Sequence, residues 1–527
     1  MIINYQKLIP GLLLVSFFIG CDSNLLDTIP NDRISSEIFW ETEQDAEFAA
    51  NSVYLTLDGL NIVSYDGITD LVLTNRGFDA NVVVQRGQSS ADTDRFLSEW
   101  DAAYTGIRRA NDFMDNIDGV EGDADAINRL IGEVRTLRAY HYIKLAMLFG
   151  DVPLITTGID IAEGRSLTQN SVNEVWDFIG SELDQAVSLL PWQNDHRINR
   201  GTAYGLKARA MLYAGRYTEA VESALNVIQS SEYELYPDYY ELFQYSGQGN
   251  SEILLARERA RDFNSHNAYN ILAPWSQITG SNGSIFVPSA AMIDKYEMDN
   301  GLPITHPESG YDPLNPYENR DPRLYASVFL NNVTEMPDGR VYGTTPDSDG
   351  SDAVQISVYS TISGYNIRKY VAEEDYDNPG NSGLNTSLLR FAEVLLTYAE
   401  AKIELNDIDQ TVYDAINRVR QRPTVDMPMV TPANASSQIE LREQVRNERT
   451  VELAYEGFRL FDIRRWEIAE DVMPGIPKGI TYVVDGELQQ VEMPDRVATF
   501  NPNRDYLWPI PSREIDLNPN LTQNPGW

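Results

Sequence analysis

The stretch YGLKARAMLYAGRYTEAVESALNVI, residues 204–228, decides how the rest of this chain is read. Tyr204, Ala208 and Met211 recur at helical spacing on one face, and Ala220, Ala224 and Val227 recur on a second. Gly215 between them supplies a tight turn. Two antiparallel helices follow, and the alanines at their contact points let the backbones approach closely.

That spacing resembles a tetratricopeptide repeat, with Lys207 standing where a leucine is expected. A second pair is expected over residues 391–420, as Phe391–Leu405 and Val412–Val419, with Ala399 and Ala415 as the small contact residues. Leu130, Val134, Leu137, His141, Leu145 and Leu148 form one stripe of a long helix ending at Gly150, just before Pro153. Another helix is expected over Asp45–Leu57. The fold class is therefore mainly α, a scaffold of stacked helix pairs. Between the helices lie long segments rich in Gly, Pro, Asn and Asp, notably 61–98, 244–289, 301–390 and 468–527. Loops of this length on a helical frame read as binding surfaces or small subdomains. Val82–Gln85, Ser251–Ala256 and Thr481–Val484 read as short strands within them.

The N-terminal end carries an apolar run, Leu8–Ile19, shorter than the ~20 residues of a membrane-spanning helix. It reads as a signal-peptide core over residues 1–20. The single cysteine, Cys21, follows Gly20, which resembles the lipobox of bacterial lipoproteins, with Phe18 in place of the usual leucine. Residues 21–527 then form one domain tethered by lipid at Cys21.

Composition narrows the function. Net charge is -38, from 41 basic and 79 acidic residues, which repels phosphate backbones and argues against nucleic acid as a partner. One cysteine permits no intramolecular disulfide, so packing must stabilise the fold, and 42% hydrophobic residues suffice for a large core. Catalytic patterns are absent: the four histidines lack the i, i+4 spacing of a helical zinc site, and no nucleophile elbow or phosphate loop occurs. Asp347, Asp349 and Asp352 around Gly350 depart from a calcium loop, because the glycine is misplaced and the distal glutamate is missing. No catalytic residue, cofactor or metal site is assigned.

An ordered string of motifs runs through the whole chain. It starts with Leu26-Asp27-Thr28-Ile29-Pro30, Phe39-Trp40 and Asn51-Ser52-Val53-Tyr54, then Trp100, Tyr104, Ile107, Ala110 and Asn111. Glu133-Val134-Arg135-Thr136-Leu137-Arg138-Ala139-Tyr140, continuing to Phe149-Gly150-Asp151-Val152-Pro153-Leu154, is the most specific piece. Arg320-Asp321-Pro322-Arg323-Leu324, Leu389-Arg390-Phe391-Ala392-Glu393 and Asn447-Glu448-Arg449-Thr450-Val451-Glu452 follow. Together these resemble the SusD/RagB family of outer-membrane nutrient-binding lipoproteins of Bacteroidetes. Arg390, Glu393, Glu400, Glu448, Arg449 and Glu452 lie on predicted helices with apolar neighbours, where such charges hold helices in register rather than catalyse.

The resemblance implies a non-catalytic protein of the cell outer membrane, lipid-anchored and surface-exposed, that captures a glycan and delivers it to a SusC/RagA-like TonB-dependent transporter. It also implies that loops from about 61–99 and 264–289 meet in a ligand face, and it admits a structural calcium ion. Within those loops, residue type and context single out Trp275, Tyr269, Phe286, Tyr65, Asp66, Asn75, Arg76, Phe78 and Asp79 as ligand-binding candidates. Two alternatives stay open. One is a peptide-binding lid, for which Arg76, Arg86, Arg257, Arg259 and Arg261 are available; the more distant one is a surface glycoside hydrolase.

Overall fold

The computed structural model describes residues 39–527 apart from Phe78 and residues 279–282. Cys21, the apolar run before it and the Leu26–Pro30 motif lie outside the described residues. The longer helices are α1 (Glu43–Tyr54), α2 (Asp94–Asn116), α3 (Ala124–Phe149), α4 (Val172–Leu189), α5 (Arg200–Tyr213), α6 (Tyr217–Gln229), α7 (Phe391–Glu404), α8 (Gln410–Arg420) and α9 (Gln438–Glu452). Each packs on the next from α2 to α8, with α1 against α2 and α3, and α9 against α7. They form one continuous array, although residues 230–390 separate α6 from α7 in the chain.

Local chemistry sets the helix ends. Thr42 caps α1 and Asp45 reaches back to the Thr42 N–H, a reciprocal capping box that starts the helix at Glu43 rather than Asp45. Ser171 with Glu174 and Ser437 with Glu440 do the same for α4 and α9. The α5–α6 turn rests on Gly215 at φ 71°, a backbone shape only glycine takes freely. Ala208, Ala220, Ala224 and Ala399 are fully buried or nearly so, at 0–1% exposure, as close helix contact demands. Lys207, the residue out of pattern, donates from Nζ to Asp184 at 2.5 Å across to α4.

Small antiparallel sheets occupy the long connections. β1 (Val72–Thr74) pairs with β3 (Phe286–Pro288), and β2 (Ile253–Arg257) pairs with β6 (Thr386–Arg390). β4 (Val328–Phe329) pairs with β5 (Asn366–Ile367), and β7 (Lys478–Val484) with β8 (Glu487–Glu492). The strands expected near 251–256 and 481–484 are present as β2 and β7. The strand expected at Val82–Gln85 is a helix, Ala80–Gln85. Asp79 caps it by accepting the Asn81 N–H, and the Gln85 amide donates to the Thr69 and Val72 carbonyls at 2.6 and 3.0 Å. Those tertiary bonds outweigh the β-branched run Val82–Val84.

Charged residues of the motifs lie inside. Arg390 contacts Glu252, Glu452 and Glu456; Arg422 contacts Glu252 and Glu452; Arg323 contacts Asp321, Glu448 and Glu452. Arg420 joins Glu448 to Glu297, and Lys369 adds to Glu456. This buried network ties β2, β6 and the helix Pro322–Ser327 to α9. Glu400 sits against Arg465 and Glu393 against Arg209, also buried. No described helix is long and apolar enough to cross a membrane.

Candidate functional site

The ladder between β1 and β3 joins the two segments in which ligand-binding residues were expected. Val72 stands opposite Pro288 and Thr74 opposite Phe286, and the Asn75 N–H extends the contact to the Ile285 carbonyl at 2.7 Å. Beyond that point a third segment enters, residues 353–362. Asn75 Nδ2 donates to the Ser360 carbonyl at 2.7 Å, and Arg76 donates to the carbonyls of Val358 and Gly283. Arg76 thereby clamps both segments onto β1, and its guanidinium also stacks 5.3 Å over the Tyr359 ring.

Trp275 completes the cluster. It opens the single turn Trp275–Gln277, is half-buried, and its ring lies 5.4 Å from that of Tyr359 at an interplanar angle of 42°. The turn is held from below: Asp352 Oδ1 accepts the Ser276 N–H at 2.8 Å, and Gln277 Nε2 donates to Asp338, which also pairs with Arg340 at 2.6 Å. Burial raises the Asp352 carboxyl above its ordinary range, opposed by the Ser276 bonds. Ile356 and Val358, 60% and 68% exposed, precede Tyr359 in the chain. Two partly exposed rings, Trp275 and Tyr359, are therefore in contact, Tyr359 stacked on Arg76 and the Trp275 turn held through Ser276 and Gln277.

The other candidates take different positions. Tyr65 is buried, and its hydroxyl donates to Glu99 at 2.6 Å. Asp66 is buried in the short helix Val63–Asp66 and accepts the N–H groups of Gly457 and Arg459 at 2.8 and 3.1 Å; burial pushes its carboxyl up to about 7. Tyr269 and Phe286 are buried in the core, at 1% and 8% exposure. Asp79 is the helix cap described above, and Phe78 lies outside the described residues. The structure thus brings Asn75, Arg76 and Trp275 together, with Asn75 and Arg76 buried and their donors on protein carbonyls, and places Tyr65, Asp66, Tyr269 and Phe286 in the interior as well. Of the described candidates in this cluster only Trp275 is partly exposed.

Tyr359 belongs to this cluster and was missed from sequence. The available signal was a lone aromatic in the polar run Ser357–Thr361, the same signal that drew attention to Trp275. Among the described residues, no group of three or more His, Cys, Asp or Glu side chains is placed to hold a metal ion. Asp352 is turned to Ser276, while Asp347 and Asp349 are exposed. A separate cleft of about 670 Å³ lies between the end of α1, residues 194–199, β2 and residues 244–250.

A profile of the SusD family matches residues 251–527, more than half of the chain. The chain belongs to the SusD/RagB family. A second profile, described as starch-binding associating with outer membrane, matches residues 66–212. SusD-like protein P2 of Formosa agariphila is 26% identical, covering 98% of both chains. The starch-binding protein SusD of Bacteroides thetaiotaomicron is 25% identical over 82% of this chain and 78% of its own. A crystal structure of a SusD-like carbohydrate binding protein from Bacteroides fragilis superposes with a TM-score of 0.84 at 27% identity, covering 92% of this chain and all of that one. Of the SusD/RagB motif residues, Glu448, Arg449 and Glu452 lie on α9 inside the ion-pair core; Arg390 joins them there but from the end of β6, not from a helix as expected, and Trp100 is buried at 4%.

Proposed function

We propose that this chain is a non-catalytic, lipid-anchored protein of the cell surface that captures oligo- or polysaccharide and passes it to a SusC-like TonB-dependent transporter in the outer membrane. The observation that carries this reading is the Trp275–Tyr359 pair, two partly exposed rings in contact on a hydrogen-bonded support. Sugar hydroxyls bind water nearly as well as protein, so capture depends on apolar ring faces that meet the less polar faces of pyranoses. Asp338 and Arg340, exposed and tied to the Trp275 turn through Gln277, offer the few polar partners that would orient a bound sugar. The names of two relatives point the same way, one a starch-binding protein and one a carbohydrate binding protein. Acylation at Cys21 would confine the protein near its transporter and raise the effective concentration of one beside the other.

The test is affinity electrophoresis of the protein without residues 1–21 through gels holding one polysaccharide each, with casein-derived peptides as a parallel arm. Retardation by a polysaccharide class, weakened at least ~10-fold in Trp275→Ala with helicity intact, is the expected result. Binding to peptides alone, or release of new reducing ends from an oligosaccharide, would overturn the proposal.

A further inference from the structure

Arg257, Arg259 and Arg261 alternate along the extended chain that leaves β2, and only the last has a counter-ion. Arg261 pairs with Asp375 at 2.8 Å and stacks on Tyr245. Among the described residues neither Arg257 nor Arg259 forms an ion pair. Arg257 donates to the Tyr54 carbonyl and Arg259 to the Asn264 carbonyl at 3.2 Å, and the Nε of each is buried without a partner. Burial lowers the affinity of both guanidiniums for their protons, and Arg259 adds to the effect on Arg257, as expected of two cations with nothing to neutralise them.

Arg257 lines the cleft of about 670 Å³, and the amides beside it present donors. Gln248 Oε1 accepts the Asn385 N–H at 3.0 Å, and Asn385 Oδ1 in turn accepts the Arg259 N–H at 2.8 Å. Both carbonyl ends are taken by backbone donors, which fixes the amide orientation and leaves Gln248 Nε2 and Asn385 Nδ2 without a partner among the described residues. Gln244 Nε2 and Ser387 Oγ, also in the lining, are buried and unpaired. Two acids border the cleft, Asp195 and Glu258; both are exposed, and Glu258 lies 3.1 Å from His196. Of the two arginines in the lining Arg197 is paired with Glu133 and Arg257 is not, while Arg259 lies two residues further along the chain, outside the lining. A half-buried cation without a counter-ion, beside free amide donors, is stabilised by an anion that enters.

We propose that this cleft is a second ligand site, taking the carboxylate or sulfate group of an acidic oligosaccharide. Its volume is that of a small-molecule site. The saccharide part of the proposal rests on the glycan reading above; the anion part stands on the arginines and amides alone. None of the lining residues belongs to the Trp275–Tyr359 cluster. In a chain of net charge -38 long-range steering opposes an anion, so short-range contacts to Arg257 and the amides must hold it, with Arg259 adding positive charge nearby.

The experiment is titration calorimetry on the protein without residues 1–21, using oligogalacturonate, a sulfated oligosaccharide and a neutral malto-oligosaccharide, with methyl glucuronide and inorganic sulfate as minimal probes. An acidic oligosaccharide is expected to bind, and to bind at least ~10-fold more weakly to the Arg257→Gln/Arg259→Gln protein, whose neutral-glycan binding and Tm are unchanged. Gln248→Glu keeps the oxygen that accepts the Asn385 N–H while adding negative charge, and is expected to weaken the acid to the same degree; it decides the matter if the double variant does not fold. Failure of every acidic probe on the wild type, or equal binding by the variants, overturns the site. Failure of the glycan reading shows differently, as loss of all polysaccharide binding while methyl glucuronide and sulfate still bind and still respond to the arginine changes.

Discussion

His141 shows how far burial alone can move a group in this molecule. It is 2% exposed on α3; Thr56 Oγ1 lies 2.8 Å from Nε2, and Nδ1 has no partner. Burial, helped by nearby Lys144 and opposed by Asp58, pushes its imidazole down to about 3, against an ordinary value of about 6.5. Between those values the unfolded chain binds a proton that the folded chain refuses, so stability is lost as pH falls through this window. The Tm of the wild type should therefore drop more steeply from about pH 7 to about pH 5 than that of His141→Gln. Parallel slopes would show that His141 is protonated in the fold. The same scale explains where sequence reading ran out. Tyr65 and Asp66 lie in a stretch with loop-like composition, and only the tertiary contacts to Glu99, Gly457 and Arg459 reveal them as interior residues. Trp275 and Arg76 were singled out by residue type and loop context, and the structure places them in one cluster with Arg76 buried; Tyr359 needed the third segment to be seen in place.

Among the elements, helix periodicity was the most legible signal. The stripe Leu130 to Leu148 became α3, and Phe391–Leu405 became α7 within one residue at its end. Strand signals were weaker, because a run such as Val82–Val84 fits either state until a cap and a tertiary bond choose between them. The α2–α3 crossing depends on one glycine. A Cβ at Gly106 would stand 2.1 Å from His141 Nε2. Helix propensity alone makes Gly106→Ala favourable by ~1 kcal/mol. Overpacking outweighs it here, and a net loss of ~1–3 kcal/mol is expected in urea denaturation. A higher unfolding midpoint would mean that α2 and α3 part easily, contrary to the packing described.

For the molecule as a whole, the ion-pair network links segments that the sequence keeps far apart. Glu452 receives Arg390 at 2.7 Å, Arg422 at 2.9 Å and Arg323 at 3.0 Å. Removing one acid leaves three buried guanidiniums short of charge, so Glu452→Gln is expected to lose ~3–5 kcal/mol in chemical denaturation. Asp184→Asn, at the exposed Lys207 pair, should change little, within ~1 kcal/mol. Equal effects of the two would remove the network from the account of stability. Glu448 and Glu452 were readable as structural from sequence, because they recur on a helix among apolar neighbours, whereas Arg390 proved to sit at the end of β6 and Glu252 and Arg422 lie outside any helix. Which acid faces which arginine was not readable, since Glu252 and Arg422 meet across 170 residues.

The excursion between α6 and α7 also orders events in time. Stacked repeats can propagate structure from one unit to its neighbour as the chain emerges. Here the face of α6 that receives α7 waits until residues 391–404 have been delivered, and the contacts that close the array span more than 160 residues. Long loop closures of this kind slow folding and leave apolar surface uncovered meanwhile. A chain built this way keeps the array open through most of its synthesis, and shuts it only once residues 391–404 have arrived.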